Sequence, residues 1–271
     1  MTLLPEPLPE SLVAALTRLA ARPQLLLALD FDGVLAPFVL DPLDARPLPA
    51  AGDALHALAA TPGTRIALVS GRPLDQLVAL ADPPPTAVLV GSHGAQSRPV
   101  IGGIGGATGG EHGGDLDATA VRLLADVTAE LHRIAARHPG ATVEQKPAGA
   151  VLHTRGATRP VAEAAGKDAL AGPAGWPGVH LTVGKEVVEL AVSDATKGGA
   201  LAALRAHFGL PAGAVLYVGD DETDERAFAV LDDDAGDVTV KVGAGDTLAR
   251  HRVADPQAVA RLLRTLVALR S

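Results

Sequence analysis

Short apolar runs, each closing on a polar or acidic residue, recur along this chain with helical patterns between them. LLLALD (25–30) ends in Asp30, TRIALV (64–69) delivers Ser70-Gly71-Arg72, and TAVLV (86–90) leads into Gly91-Ser92-His93-Gly94. AVLYV (214–218) delivers Gly219-Asp220-Asp221, and DVTVKV (237–242) reads as a fifth strand. Runs this short and this apolar suit strands covered on both faces. Helical patterns fall around 50–60, 73–81, 196–208, 222–231 and 255–269. The alternation predicts an α/β fold, a Rossmann-like parallel sheet whose ligands bind where the strands end. The core must be filled by Ala, Leu and Val, because 48% of residues are hydrophobic but only 2% aromatic.

The middle of the chain breaks the pattern. IGGIGGATGGEHGG (101–114) is too rich in glycine to pack and reads as a linker or hinge that lets a second domain open and close. A helix (115–138), two strands (142–146 and 150–154), a helix (160–171) and two further strands (178–183 and 186–192) are expected after it. Pro147-Ala148-Gly149 and Gly184-Lys185 would close two hairpins. The expected organisation is a discontinuous core, 1–100 with 195–271, and an inserted α+β cap domain over 101–194 that recognises substrate.

Several function classes are excluded early. A formal net charge of -8 disfavours nucleic acid and anionic membranes as partners. With no cysteine, disulfides and thiolate chemistry are excluded. No stretch reaches the roughly 18–20 apolar residues of a membrane span, and the first residues, with Pro5, Glu6, Pro7, Pro9 and Glu10, do not read as a signal peptide. A cytoplasmic monomer is expected.

Asp30-Phe31-Asp32-Gly33 carries the strongest chemical signal. In an extended segment residues i and i+2 point the same way, so both carboxylates can face one site at a strand end. Two adjacent carboxylates repel unless one is protonated or a cation lies between them. A second acidic cluster, Asp220-Asp221-Glu222-Thr223-Asp224-Glu225, follows another buried strand. Oxygen ligands without sulfur favour a hard cation, Mg²⁺, with Asp30, Asp32, Asp220 and Asp221 as candidate ligands and Asp224 as a supporting acid. Ser70 and Gly71 can offer a hydroxyl and backbone N–H groups to a phosphate. Lys197 opens a predicted helix, where anions are also attracted.

In this order the four pieces resemble the motifs of the haloacid dehalogenase superfamily of phosphatases. Asp30-x-Asp32 looks like the first motif, Ser70 the second, Lys197 the third and Asp220-Asp221 the fourth. The resemblance implies that Asp30 is the nucleophile and forms an aspartyl phosphate. Asp32 would protonate the leaving oxygen and then activate water. Within the superfamily the stretch 219–225 is similar to the fourth motif of the trehalose-6-phosphate phosphatases, and Gly91-Ser92-His93-Gly94 resembles their small-His-Gly turn. Glu144-x-Lys146, His153-x-Arg155 and Gly184-Lys185-x-x-x-Glu189 match their cap motifs. That resemblance implies trehalose 6-phosphate as substrate, hydrolysed to trehalose and phosphate, bound by Arg72, His93, Glu144, Lys146, His153, Arg155, Lys185 and Glu189. The chain departs from the family at Val34, at Thr154, where an aromatic residue is usual, and at Leu190-Ala191-Val192, where a basic residue and proline often follow the glutamate. Sucrose-phosphate and mannosyl-phosphoglycerate phosphatases share the core and the cap style and are the alternative reading.

Overall fold

The computed structural model describes residues 7–99, 101, 102, 104, 116 and 118–271. Most of the glycine-rich stretch read as a hinge, 103 and 105–114, lies outside the described residues, as do 115 and 117 of the helix expected there. The chain divides into two compact units, Met1–Gly102 with Thr196–Ser271, and Gly103–Ala195.

In the first unit the apolar runs form β1 (Leu25–Leu29), β2 (Thr64–Val69), β3 (Val88–Gly91), β9 (Val215–Gly219) and β10 (Val238–Val242). Two three-residue strands, β4 (Gln96–Arg98) and β11 (His251–Val253), complete a seven-stranded sheet in the order β11-β10-β9-β1-β2-β3-β4. All pairs are parallel except β3 with β4. Every residue of β1, β9 and β10 is buried, the signature of central strands.

The helices of this unit are α1 (Glu10–Ala20), α2 (Pro49–Ala60), α3 (Leu74–Ala81), α6 (Lys197–His207), α7 (Glu225–Phe228) and α8 (Pro256–Arg270). Proline occupies the first turn of α2 and α8, where its missing N–H costs nothing. Thr196 caps α6 through Gly199 N–H at 3.0 Å, and Asp255 caps α8 through Ala258 N–H at 2.8 Å. The helix α1 is absent from the sequence reading. Its Leu12, Ala15, Leu16 and Leu19 pack into the same apolar core as β1 and α8.

Two expectations for this unit need correction. The helix expected over 222–231 shrinks to the single turn α7: Asp221 Oδ1 accepts Thr223 N–H at 2.8 Å and Asp224 N–H at 3.2 Å ahead of it, and after it Val230 and Leu231 N–H bond back three residues, at 3.4 and 3.1 Å, in turns. The strand expected from residue 86 begins only at Val88, since Ala87 N–H closes a turn on Pro84 O.

The second unit holds α4 (Ala118–Arg137), β5 (Thr142–Lys146), β6 (Gly149–His153), α5 (Arg159–Ala171), β7 (His180–Gly184) and β8 (Val187–Ala191). Its antiparallel sheet runs β5-β6-β8-β7. Ala150, Leu152, Val188 and Leu190 turn one face onto Leu124, Val127, Leu131 and Ile134 of α4 and Ala165 and Ala169 of α5. The opposite face carries Glu144, Lys146, His153 and Glu189, as strand alternation requires. The turn between β7 and β8 is Lys185-Glu186 rather than Gly184-Lys185, with Glu186 in the left-handed region at φ 61°. Thr154 ties this turn down, donating its hydroxyl to Glu186 O at 3.0 Å.

Candidate active site

Asp30, Ser70, Asp220 and Asp221 lie at or just past the carboxyl ends of β1, β2 and β9, and Lys197 begins α6. Lys197 is buried, and its ammonium donates to Asp30 Oδ2 at 2.6 Å and to Asp224 Oδ1 at 2.8 Å, with Asp221 Oδ1 at 3.7 Å. Phe31 N–H donates to Asp30 Oδ1 at 2.6 Å. Asp224 is fully buried and organises the acidic loop. Its Oδ1 also accepts from the hydroxyl of Tyr217 at 2.7 Å, and its Oδ2 accepts the backbone N–H groups of Asp220 and Asp221 at 2.8 and 3.0 Å. Gly219 leaves room for this, since a Cβ there would lie 2.2 Å from Asp224 Cγ.

Burial pushes the Asp30 and Asp224 carboxyls above their usual range, against the pull of Lys197. Burial alone would lower Lys197, but Asp30, Asp224 and Asp221 outweigh it and hold the amine protonated. Asp221 falls the other way: burial is overcome by Lys197 and by hydrogen bonds from Thr223 and Asp224, so it stays ionised. Asp220 is pushed up to about 7, by burial first and then by the carboxylates of Asp224 and Asp221. Its carboxylate packs against Gly33, where a Cβ would come within 2.2 Å of Oδ2 and where φ is +69°. Both constraints demand glycine after Asp32.

Asp32 stands apart from the lysine. Both its oxygens are held by Arg72, Nε to Oδ2 at 2.6 Å and Nη2 to Oδ1 at 2.7 Å, and the guanidinium lies 5.5 Å over the ring of Phe31. Ser70 is buried, its Oγ accepting Arg72 N–H at 3.2 Å and its carbonyl accepting His93 N–H at 3.0 Å. Gly71 receives the His93 ring closely, since a Cβ there would meet Cε1 at 2.4 Å.

Oxygens of Asp30, Asp221 and Asp224 lie within 4.8 Å of one another. Asp224 is already saturated by Lys197, Tyr217 and two N–H groups, which leaves Asp30 and Asp221 as the acids open to an ion. An all-oxygen donor set with surplus negative charge fits a hard divalent cation. The sequence reading did not single out Tyr217 or Lys241. Lys241 on β10 is buried, and its ammonium donates to the carbonyl of Asp220 at 2.5 Å and that of Asp221 at 3.3 Å, pinning the loop from below. The available signals were a lysine between two valines in a buried strand and the only tyrosine of the chain.

In the second unit, His153 Nε2 lies 2.8 Å from Glu144 Oε2, and Lys146 Nζ donates to Glu189 Oε1 at 3.0 Å. Arg155 is exposed, 3.7 Å from Glu186 at the hairpin end, and Lys185 is exposed in the turn itself. The structure therefore gathers Glu144, Lys146, His153 and Glu189 and leaves Arg155 and Lys185 outside that group.

A parallel sheet with Asp-x-Asp after its central strand and a buried lysine between two acids defines a phosphatase of the haloacid dehalogenase type. The family model described as trehalose-phosphatase matches residues 28–260, and the chain belongs to that family. It is 34% identical over 230 residues to the trehalose-6-phosphate phosphatase of Escherichia coli, covering 83% of this chain and 80% of that one. It is 36% identical over 246 residues to the bifunctional trehalose-6-phosphate synthase/phosphatase of Thermoproteus tenax, covering 89% of this chain and 32% of that longer one. The C-terminal domain of C. albicans trehalose-6-phosphate phosphatase has the same fold, with TM-score 0.73 over 98% of this chain and 99% of that one at 22% identity. No described helix is long and apolar enough to cross a membrane.

Proposed function

We propose that this chain hydrolyses trehalose 6-phosphate to trehalose and inorganic phosphate. The observation that carries the reading is the Lys197 ammonium held between Asp30 and Asp224 at the strand ends, in a chain of the trehalose-phosphatase family. A carboxylate of Asp30 attacks phosphorus, the bond from phosphorus to the sugar oxygen breaks, and an aspartyl phosphate forms. Asp32 gives its proton to the departing oxygen, then takes one from the water that cleaves the acyl phosphate. For this the Arg72–Asp32 pair must open, and Arg72 turning towards the incoming phosphate does so while replacing one anion with another. Ser70, Gly71 and Lys197 hold the phosphoryl oxygens. Asp30 and Asp221, with Asp220 beside them, would hold Mg²⁺, which would supply positive charge against the transferring group. A sugar phosphate does not cross a membrane unaided, which supports the cytoplasm, where such esters are made, as the place of work.

The second unit supplies sugar recognition through Glu144, Lys146 and Glu189, aided by His153, Arg155 and Lys185. Replacing Glu144, Lys146 or Glu189 by Ala is expected to lower kcat/KM for trehalose 6-phosphate by about 10–100-fold, the scale of a lost hydrogen bond to a charged group. An aryl phosphate, which has no sugar to recognise, should be cleaved as before. Unchanged turnover of trehalose 6-phosphate in all three variants would discard the assignment.

The metal assignment has a thermal readout. Asp220 keeps its proton in the folded state up to about pH 7, whereas the unfolded chain loses it near 3.8. That raised value stabilises the fold fully only at low pH, and the contribution is lost as pH rises through the interval between the two. The metal-free protein should therefore melt at lower temperature at pH 7.5 than at pH 5. Mg²⁺ at a hundredfold over its Kd contributes about 2.7 kcal/mol, or roughly 5–10 °C. At one fixed Mg²⁺ concentration the rise should be larger at pH 7.5 than at pH 5, because the ion selects ionised carboxylates. Equal shifts at both pH values, or none, would remove the ion from this cluster.

A further inference from the structure

Besides Lys197, Lys241 is buried in the first unit, on β10, with its side chain 6% exposed. A buried ammonium is costly unless acceptors surround it. Its two hydrogen-bond acceptors are backbone carbonyls, that of Asp220 at 2.5 Å and that of Asp221 at 3.3 Å, and Glu225 Oε1 lies 3.9 Å away as counter-charge. Glu225 is itself held, its Oε2 accepting Leu248 N–H at 2.7 Å.

The Asp220 carbonyl and the Asp221 N–H belong to one peptide unit, which is planar and turns as a single plate. Lys241 holds the oxygen end of that plate, and Asp224 Oδ2 holds the nitrogen end at 3.0 Å. The preceding N–H, of Asp220, goes to the same Asp224 oxygen at 2.8 Å, and the following carbonyl, of Asp221, to the same ammonium. Among the described residues no other donor reaches either carbonyl. The carboxylates of Asp220 and Asp221 are therefore carried on a stretch of backbone gripped from both sides.

We propose that Lys241 is a positioning residue for the divalent cation: its grip on the peptide joining Asp220 to Asp221 sets how tightly the acidic loop holds the ion. Without the ammonium the plate is restrained at its nitrogen end alone, and two carbonyls lose their donor. The loop must then be ordered when the ion arrives, and that ordering is subtracted from affinity. Groups that orient a metal's ligands without touching the metal typically matter by about 10–100-fold in affinity. The charge of Lys241 by itself would oppose a cation, so grip and charge predict opposite signs. Glu225, at 3.9 Å, offsets the charge, which leaves the grip as the larger effect. The inference rests on a divalent cation being held by Asp30 and Asp221 with Asp220 beside them.

The test is Mg²⁺ binding, followed by isothermal calorimetry, to wild type, Lys241→Met and Lys241→Gln, beside phosphate release from an aryl phosphate over a Mg²⁺ titration. Methionine keeps a similar volume and removes the donor, and glutamine keeps a donor that falls one atom short. Each variant should bind Mg²⁺ about tenfold more weakly or worse, with the half-saturating Mg²⁺ for turnover rising in step and most of the lost turnover recovered at saturating Mg²⁺. Affinity within about twofold of wild type, beside a lowered melting temperature, would make Lys241 a residue of the fold alone and overturn the proposal. Tighter binding would overturn it too, because the ammonium would then act by repelling the ion. Were neither variant to fold, the lysine would serve the fold and the proposal would fall. A wild type that binds no Mg²⁺ would remove the cation reading, and this proposal with it.

Discussion

Lys197→Met should cost the protein both its activity and a large part of its thermal stability. Lys197 is buried among three carboxylates, at 2.6 Å from Asp30, 2.8 Å from Asp224 and 3.7 Å from Asp221. Methionine fills a similar volume, so packing is largely kept and the loss is that of charge. Removing one member of a buried ion pair leaves an uncompensated charge and typically costs about 3–5 kcal/mol. At about 2–4 °C per kcal/mol for a chain of this size class, the melting temperature should fall by roughly 6–20 °C. Glycine 198 shows how tightly the start of this helix is seated, since a Cβ there would lie 2.2 Å from Arg226 O. A Lys197→Met protein that melts within about 2 °C of wild type and still releases phosphate would mean the three acids do not depend on this ammonium.

Asp30→Asn should separate chemistry from folding. The amide keeps the shape, but its one oxygen can accept from Phe31 N–H or from Lys197, whereas the carboxylate accepts from both, at 2.6 Å each. Lys197 retains Asp224 and Asp221 as partners, so the network survives with one negative charge fewer. Burial already drives Asp30 towards its neutral form, so the neutral amide should lower the melting temperature less than Lys197→Met does. Phosphate release, which needs a carboxylate to attack phosphorus, should fall by about 10⁴-fold or more, the scale seen when a nucleophile is deleted. An unfolded variant would show that Asp30 is needed for the fold. An active one would show that another group attacks.

How much of this was legible in the sequence follows from the range of each interaction. The run TRIALV coincides with β2, whose buried Ile66–Val69 write the end of the strand in apolar residues. The hairpins of the second unit were readable for the related reason that turn residues and alternation act over a few positions. The short edge strands β4 and β11 were not, since three residues carry too little periodicity. The Arg72–Asp32 pair joins residues 40 apart, and Lys241 reaches carbonyls 20 and 21 residues upstream. A lysine in a strand reads as solvent-facing until the neighbouring chain places carbonyls around it. Asp224 shows the same limit. Its type was legible, but its position at the centre of the acidic loop depends on Tyr217, Lys197 and two N–H groups brought together by folding.

The most direct test of the central claim is phosphate release in Mg²⁺ from trehalose 6-phosphate, sucrose 6-phosphate, glucose 6-phosphate and an aryl phosphate, each at matched concentration. The account predicts strong preference for trehalose 6-phosphate and no release with Asp30→Asn. Release from the aryl ester alone would contradict the substrate, and release that survives in Asp30→Asn would contradict the mechanism.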